Sequence, residues 1–518
     1  VSEASRRLLV LGLDGFDPEV ARRLIGEGRL PRLARLQESA RSFRLETGLE
    51  KYTGLAWEQF SSGLAPEQSQ RFSATAIDVD RYHAQQPTTR LTPFTDGLDA
   101  RTVVFDAPYF DLTRTQSAQG MVSWGSHDPG VPQLSSPEGL TAEIVEGFGA
   151  YPATEFIYGF VWPDVERTIE MGKAMIEAVK LRTQIVRWLL AERLPDWDLA
   201  ITVISEYHSA TEALWHGWDE THPLYEHPSA SAAREGFVAV YEAADELLGV
   251  VLDAFPDVEL LAYTPHGMGR NYADVPAMLL LPELLYRHYT GRKGFVADPD
   301  WLPDGSIRPG ATLADHWSPP ITERLRIEQP FFDRLLNGRD SLQPDGMDWM
   351  PAALYRTAWR RMDAYASPAF YDGRVRVNLR GREARGRVSP RRYAAVLDEV
   401  AQLLRECRDP RTGAPLDIEI EPRLDGDPLE RNPTDADLIV RFSTDHYAFE
   451  HPRLGLIGPA PCRRPGGHSG GPGVAYYRDG SGRCEELGSF RTLEIPAAVR
   501  ALMGDGTAGG ALAQALRT

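Results

Sequence analysis

The stretch Leu8-Leu9-Val10-Leu11-Gly12-Leu13-Asp14-Gly15-Phe16-Asp17-Pro18 decides the class of fold. Its first six residues are apolar or glycine. That run is too short for a helix and has no polar alternation, so it reads as a strand buried on both faces, as in a parallel sheet. It stops at an acid, Asp14. Pro18 then opens a helix through Arg22 to Ile25, with Asp17 as its cap. Open α/β sheets place their ligands at the carboxyl ends of strands. Asp14 is therefore either a ligand-binding acid or part of a simple turn.

Outward from this stretch the same grammar repeats. A helix is expected from Pro31 to about Ala40. Arg101 to Phe105 reads as a strand ending at Asp106, and Asp164 to Arg193 carries helical apolar spacing. Leu199 to Ser205 is the next strand, and it delivers Glu206, His208, Glu212 and His216. The last three are spaced by four, which puts them on one face of a helix. Carboxylate and imidazole at that spacing suit a metal ion, and ordinary helices carry it too. Gly236 to Ala254 is a helix. Val258 to Tyr263 is a strand that ends in Thr264-Pro265-His266-Gly267. Strands alternating with helices imply a mostly parallel sheet covered on both faces. Thr53 stands where a helix from Gly54 to about Ser61 would begin. It is either a helix cap or a nucleophile beside free backbone N–H groups.

Residues 108–140 read as a long loop rich in Gly, Pro, Ser and His. Trp124, His127 and Asp128 are its candidates to line a cleft. We divide the chain into an α/β core over 1–285, an irregular and partly helical insertion over 286–370, and the remainder of the core over 371–518. The last part includes strands over 374–379, 416–422 and 437–442, a helix over 389–407, and a glycine-rich loop around His468.

The chain has 518 residues, and its formal charge of −18 argues against binding a nucleic-acid polymer or an anionic membrane through its bulk field. A small anionic substrate is the expected partner, and a homodimer is compatible with this size. No apolar run is long enough to span a membrane. The three cysteines are scattered, which excludes a disulfide scaffold. The opening residues lack the apolar run of a signal peptide, so a cytoplasmic protein is expected.

Read together, these segments resemble the alkaline phosphatase superfamily, in its type I phosphodiesterase and nucleotide pyrophosphatase branch. Val10-Leu11-Gly12-Leu13-Asp14-Gly15 resembles the family's first metal-binding strand end. Thr53, with Gly63 and Pro66 after it, matches the nucleophile segment. Glu206-Tyr207-His208 through Trp215 resembles the central ligand segment. Thr264 to Gly269 is similar to the segment that usually reads Ser-Asp-His-Gly. Gly467-His468 with Pro472-Gly473 resembles the late metal-binding His.

The resemblance implies a three-layer α/β/α sandwich and a metal-dependent hydrolase of a phosphate ester, most simply a phosphodiester or nucleotide-like substrate, acting through a covalent phospho-threonine at Thr53. It also implies two divalent ions, commonly zinc, with iron or manganese as alternatives. Carried over, one site becomes Asp14, Thr53, position 265 and His266, and the other becomes His208, Glu212 and His468. Position 265 is Pro, which has no donor, and both helix ligands have changed type. Glu206 and His216 are close enough in sequence to compensate as a ligand and as a water-activating base. Recruitment to other phosphorus or sulfur chemistry, and a non-catalytic binding role, are the alternatives.

Overall fold

The computed structural model describes residues 7–47, 54–87, 90–158, 162–313, 318–327, 347, 349–424, 426–430 and 436–518. Thr53 lies outside these residues.

The Leu8–Leu13 strand is fully buried and sits at the middle of a nine-stranded sheet, between Leu199–Ile204 and Glu259–His266, with both pairings parallel. Thr102–Phe105 and Ala118–Val122 extend the parallel array beyond Leu199–Ile204, and Leu134–Ser136 closes that edge antiparallel. On the other side Pro472–Arg478 pairs antiparallel with Glu259–His266, followed by Arg41–Glu46 and Glu485–Arg491. The mostly parallel sheet expected from the sequence is thus present.

Alternation within the first strand makes the layers. Side chains of successive strand residues point to opposite faces. Leu9, Leu11 and Leu13 pack with the helices Pro18–Gly26, Val165–Trp188 and Ala230–Ala254. Leu8 and Val10 pack on the other face with Trp57, Phe60, Ile495 and Leu512. Both faces are apolar and both are covered, which gives an α/β/α sandwich.

Two expectations change. The 108–140 loop carries the strands Ala118–Val122 and Leu134–Ser136, which build one sheet edge; they are too short and too mixed to stand out by pattern. The stretch after 371 does not return directly to the main sheet. Ala364–Ser367, Gly373–Val377, Leu438–Phe442 and Ile418–Pro422 form a separate four-stranded antiparallel sheet. That sheet shares an apolar core with the helices Leu281–Thr290 and Tyr393–Glu406. The chain rejoins the main sheet at Pro472–Arg478. No described helix is long and apolar enough to cross a membrane.

Candidate metal centre

Parallel register brings the carboxyl ends of several strands to one edge. Leu13 pairs with Ile204, so Asp14 and the start of the Glu206–Leu214 helix emerge side by side. Gly15 makes the approach possible. It has φ +82°, and a β-carbon there would lie 2.3 Å from the Cα of His208. Asp14 Oδ1 is 3.1 Å from His208 Nδ1, and both residues are buried. Burial raises the Asp14 carboxyl, but the neighbouring His208 outweighs it and the net shift is downward. Burial lowers His208, and the charges and hydrogen bonds of Asp14 and Glu212 overcome this, raising it to about 10.

With its Nδ1 engaged by Asp14, His208 turns Nε2 toward three other groups. One turn along the helix, Glu212 Oε1 lies 3.7 Å away. His468 Nε2, from the glycine-rich loop, lies 3.3 Å away. The ring of His127 stacks on that of His208 at 3.7 Å, and His127 Nε2 is 3.6 Å from Glu212 Oε2. His127, His208 and Glu212 each offer a donor atom, all within 4.8 Å of one another. His266 completes the cluster, its ring 4.8 Å from that of His468.

His127 owes its place to a buried ion cluster. Asp106, at the end of Thr102–Phe105, accepts hydrogen bonds from the backbone N–H groups of Trp124 and Gly125 and from the Ser126 hydroxyl. That pins the loop immediately before His127. Arg182, fully buried, bonds Asp106 at 2.9 Å and Glu206 at 2.8 Å. Ser209 Oγ meets His127 Nδ1 at 3.2 Å, which directs Nε2 toward Glu212.

Two sequence-derived site residues are placed elsewhere. Glu206 is the counter-ion of Arg182, with both its carboxylate oxygens bonded to that guanidinium. It is a structural charge in the core, separate from the donor cluster. His216 does not share the face of His208 and Glu212. The α-helix ends at Leu214 and tightens into a 3-10 turn at Trp215–Gly217, which breaks the four-residue register. His216 Nε2 instead bonds Ser229 Oγ at 3.0 Å, and burial drives its pKa down to about 3. Asp14, His208, Glu212, His266 and His468 do come together. Trp124 packs on Tyr151 and Phe105 in the core rather than lining a cleft.

Sequence reading missed a second charged layer. Arg464 bonds Asp274 through Nε at 2.8 Å and Nη2 at 2.9 Å, and its Nη1 bonds Glu212 Oε1. Arg463 also pairs with Asp274. The only available signal was the pair of adjacent arginines just before the glycine-rich loop of His468. Two clefts of about 290 and 280 Å³ share a wall of Phe370, Tyr371 and Arg464. His127 and Asp128 line the first, and His468 lines the second.

No protein-family model matches the chain, and no curated protein matches it in sequence. Among solved structures it is similar to an inactive variant of murine ectonucleotide pyrophosphatase/phosphodiesterase 5 in complex with AMP. The identity is 9% and the TM-score 0.47, over 98% of this chain and 96% of that one. It is also similar to human ectonucleotide pyrophosphatase/phosphodiesterase 5, at 10% identity and a TM-score of 0.42, over 96% and 95% of the two chains.

The donor set fits one divalent ion. Glu212 Oε2 is buried and accepts no hydrogen bond, although it lies 3.6 Å from His127 Nε2. A carboxylate oxygen left bare in the interior is costly unless a cation meets it. Imidazole nitrogens with a carboxylate are ordinary ligands for zinc, iron or manganese. The Asp14–His208 contact is the carboxylate–histidine pairing that orients a metal-binding ring. Among the described residues the second position of the implied pattern is the poorer one, because Pro265 brings no side-chain donor.

Proposed function

We propose that this protein is a metal-dependent hydrolase of a phosphate ester, with a phosphodiester or nucleotide-like anion as substrate, built around one divalent ion. The observation that carries this reading is the convergence of His127, His208 and Glu212 beside two clefts at the carboxyl edge of a parallel sheet.

His127, His208, Glu212 and His468 would hold the ion, zinc first by the chemistry of the donors. When bound it supplies Lewis acidity toward a phosphoryl oxygen. The chain does the rest. Asp14 accepts the Nδ1 proton of His208 and so keeps Nε2 as the ligating nitrogen. Thr53 is the nucleophile in this reading. Gly54, the next residue, lies against Tyr371, with a β-carbon there 3.1 Å from its Cε2, and the ring of Tyr371 is 3.9 Å from that of His468. The Thr53 hydroxyl attacks phosphorus, the bond to the departing oxygen breaks, and the hydroxyl proton ends on that leaving oxygen, giving an alcohol and a phospho-threonine. His266 Nδ1 donates to the Gly267 carbonyl, so Nε2 is the nitrogen that accepts a proton from the water that hydrolyses this ester.

The test is turnover of a bis(nitrophenyl) phosphate, a nitrophenyl phosphate and a nitrophenyl sulfate by zinc-loaded protein. The diester is cleaved fastest. Thr53→Ala retains metal and loses turnover, and acid-quenched wild type carries a phosphoryl adduct on Thr53. Equal cleavage by wild type and Thr53→Ala would reject the reading.

A further inference from the structure

Arg464 occupies an unusual position. Its guanidinium is clamped from behind by Asp274 through Nε and Nη2, the bidentate geometry that fixes an arginine most firmly. Nη1 is directed the other way, onto Glu212 Oε1 at the rim of the donor cluster. The same guanidinium forms part of the wall shared by both clefts. Two partners therefore compete for one oxygen of Glu212. Arg464 holds one carboxylate oxygen, His208 Nε2 is 3.7 Å from that same oxygen, and the second oxygen has no hydrogen bond.

From this arrangement we infer that Glu212 and Arg464 form a latch that couples metal loading to capture of the substrate anion. When Glu212 turns its charge to a cation among His127, His208 and His468, its hold on Arg464 Nη1 weakens. Asp274 keeps the guanidinium in place, so Nη1 is presented to a phosphoryl oxygen in the adjoining cleft. Arg464 then contributes the second positive charge at a site where Pro265 supplies no ligand for another ion. Coupling of this kind is reciprocal: metal tightens the anion and the anion tightens metal by the same factor. The inference rests on the one-metal reading above and adds a residue that touches the substrate.

Calorimetric titration of the full chain with zinc alone, with inorganic phosphate alone, and with each in the presence of the other tests it. In wild type, saturating phosphate tightens zinc by about tenfold, and zinc tightens phosphate equally. In Arg464→Gln zinc still binds, and that mutual factor falls to the part supplied by direct contact between zinc and phosphate. Because Arg464 is buried and its loss strands Asp274, Glu212→Gln provides an independent reading. It removes the charge holding Nη1, so metal-free Glu212→Gln binds phosphate about tenfold more tightly than metal-free wild type. Zinc binding with coupling retained in full in Arg464→Gln, or metal-free phosphate affinity unchanged in Glu212→Gln, overturns the latch and leaves the metal reading standing. Failure of wild type to bind zinc rejects the metal reading and the latch with it.

Discussion

Asp14 Oδ1 lies 3.1 Å from His208 Nδ1, and this single buried contact selects which nitrogen of His208 faces the donor cluster. A neutral imidazole carries one N–H. A carboxylate at Nδ1 holds one proton there, so Nε2, which faces Glu212 and His468, is the nitrogen that gives up its proton when a metal binds. Strand pairing sets the contact, since Leu13 and Ile204 are partners and Gly15 allows the His208 backbone to pass close by.

Asp14→Asn therefore weakens metal binding without emptying the cluster of donors. Loss of an outer carboxylate of this type lowers metal affinity by roughly 10–100-fold. Competition against a chelating dye measures it. An unchanged affinity would mean that His208 ligates through the other nitrogen, or not at all.

Metal affinity rises with pH. The metal-free His208 ring has its pKa raised to about 10, so near neutrality it carries a proton that a metal at Nε2 must displace. Affinity climbs about tenfold per pH unit below that value, and calorimetry in buffers of different ionisation enthalpy detects the released proton. The same shift has a stability consequence of fixed sign. A pKa raised above that of the unfolded chain stabilises the metal-free fold fully below about pH 6.5. That contribution is lost as pH rises through about 10.

Asp274 sets an acid limit. Burial raises its carboxyl, but Arg464 and Arg463 outweigh this and hold it well below the ordinary carboxylate range. A depressed pKa contributes stability that is complete above about pH 4 and lost as pH falls below it. Asp274→Asn is less stable at neutral pH than wild type, and denaturant melts across the acid range show a flatter dependence.

Arg182 is the cation of a buried cluster with Asp106 and Glu206. Arg182→Met leaves two carboxylates in the core without a counter-charge, a loss of about 3–5 kcal/mol by urea unfolding. Adding Glu206→Gln and Asp106→Asn restores part of it. Single-variant stability equal to wild type would show that these charges are not compensated by Arg182.

The sequence made the interior of the sheet legible because its strands obey simple rules. Leu8–Leu13 and Leu199–Ile204 are continuous apolar runs, and each ends where the chain turns polar. The far edge is harder to read. Pro472–Arg478 starts inside a glycine-rich loop that hides its buried Ala475, Tyr476 and Tyr477, and Glu485–Arg491 is mostly exposed and polar, without a burial pattern. At the site, His208 and Glu212 were visible as an i, i+4 pair. His127 was visible only as a loop residue, because what brings it to His208 is Asp106 pinning Trp124 to Ser126. Glu206 and His216 look equivalent to their neighbours in sequence. Their separation from the cluster depends on Arg182 far along the chain and on a helix that tightens after Leu214. Arg464 is 252 residues from Glu212, a pairing no local pattern announces.

The most direct test of the metal centre is anomalous diffraction from crystals grown with zinc, recorded on both sides of the absorption edge. One peak per chain is expected, bonded to Nε2 of His127, Nε2 of His208, the carboxylate of Glu212 and the ring of His468. Two peaks, or a single peak away from these atoms, would contradict the one-ion centre.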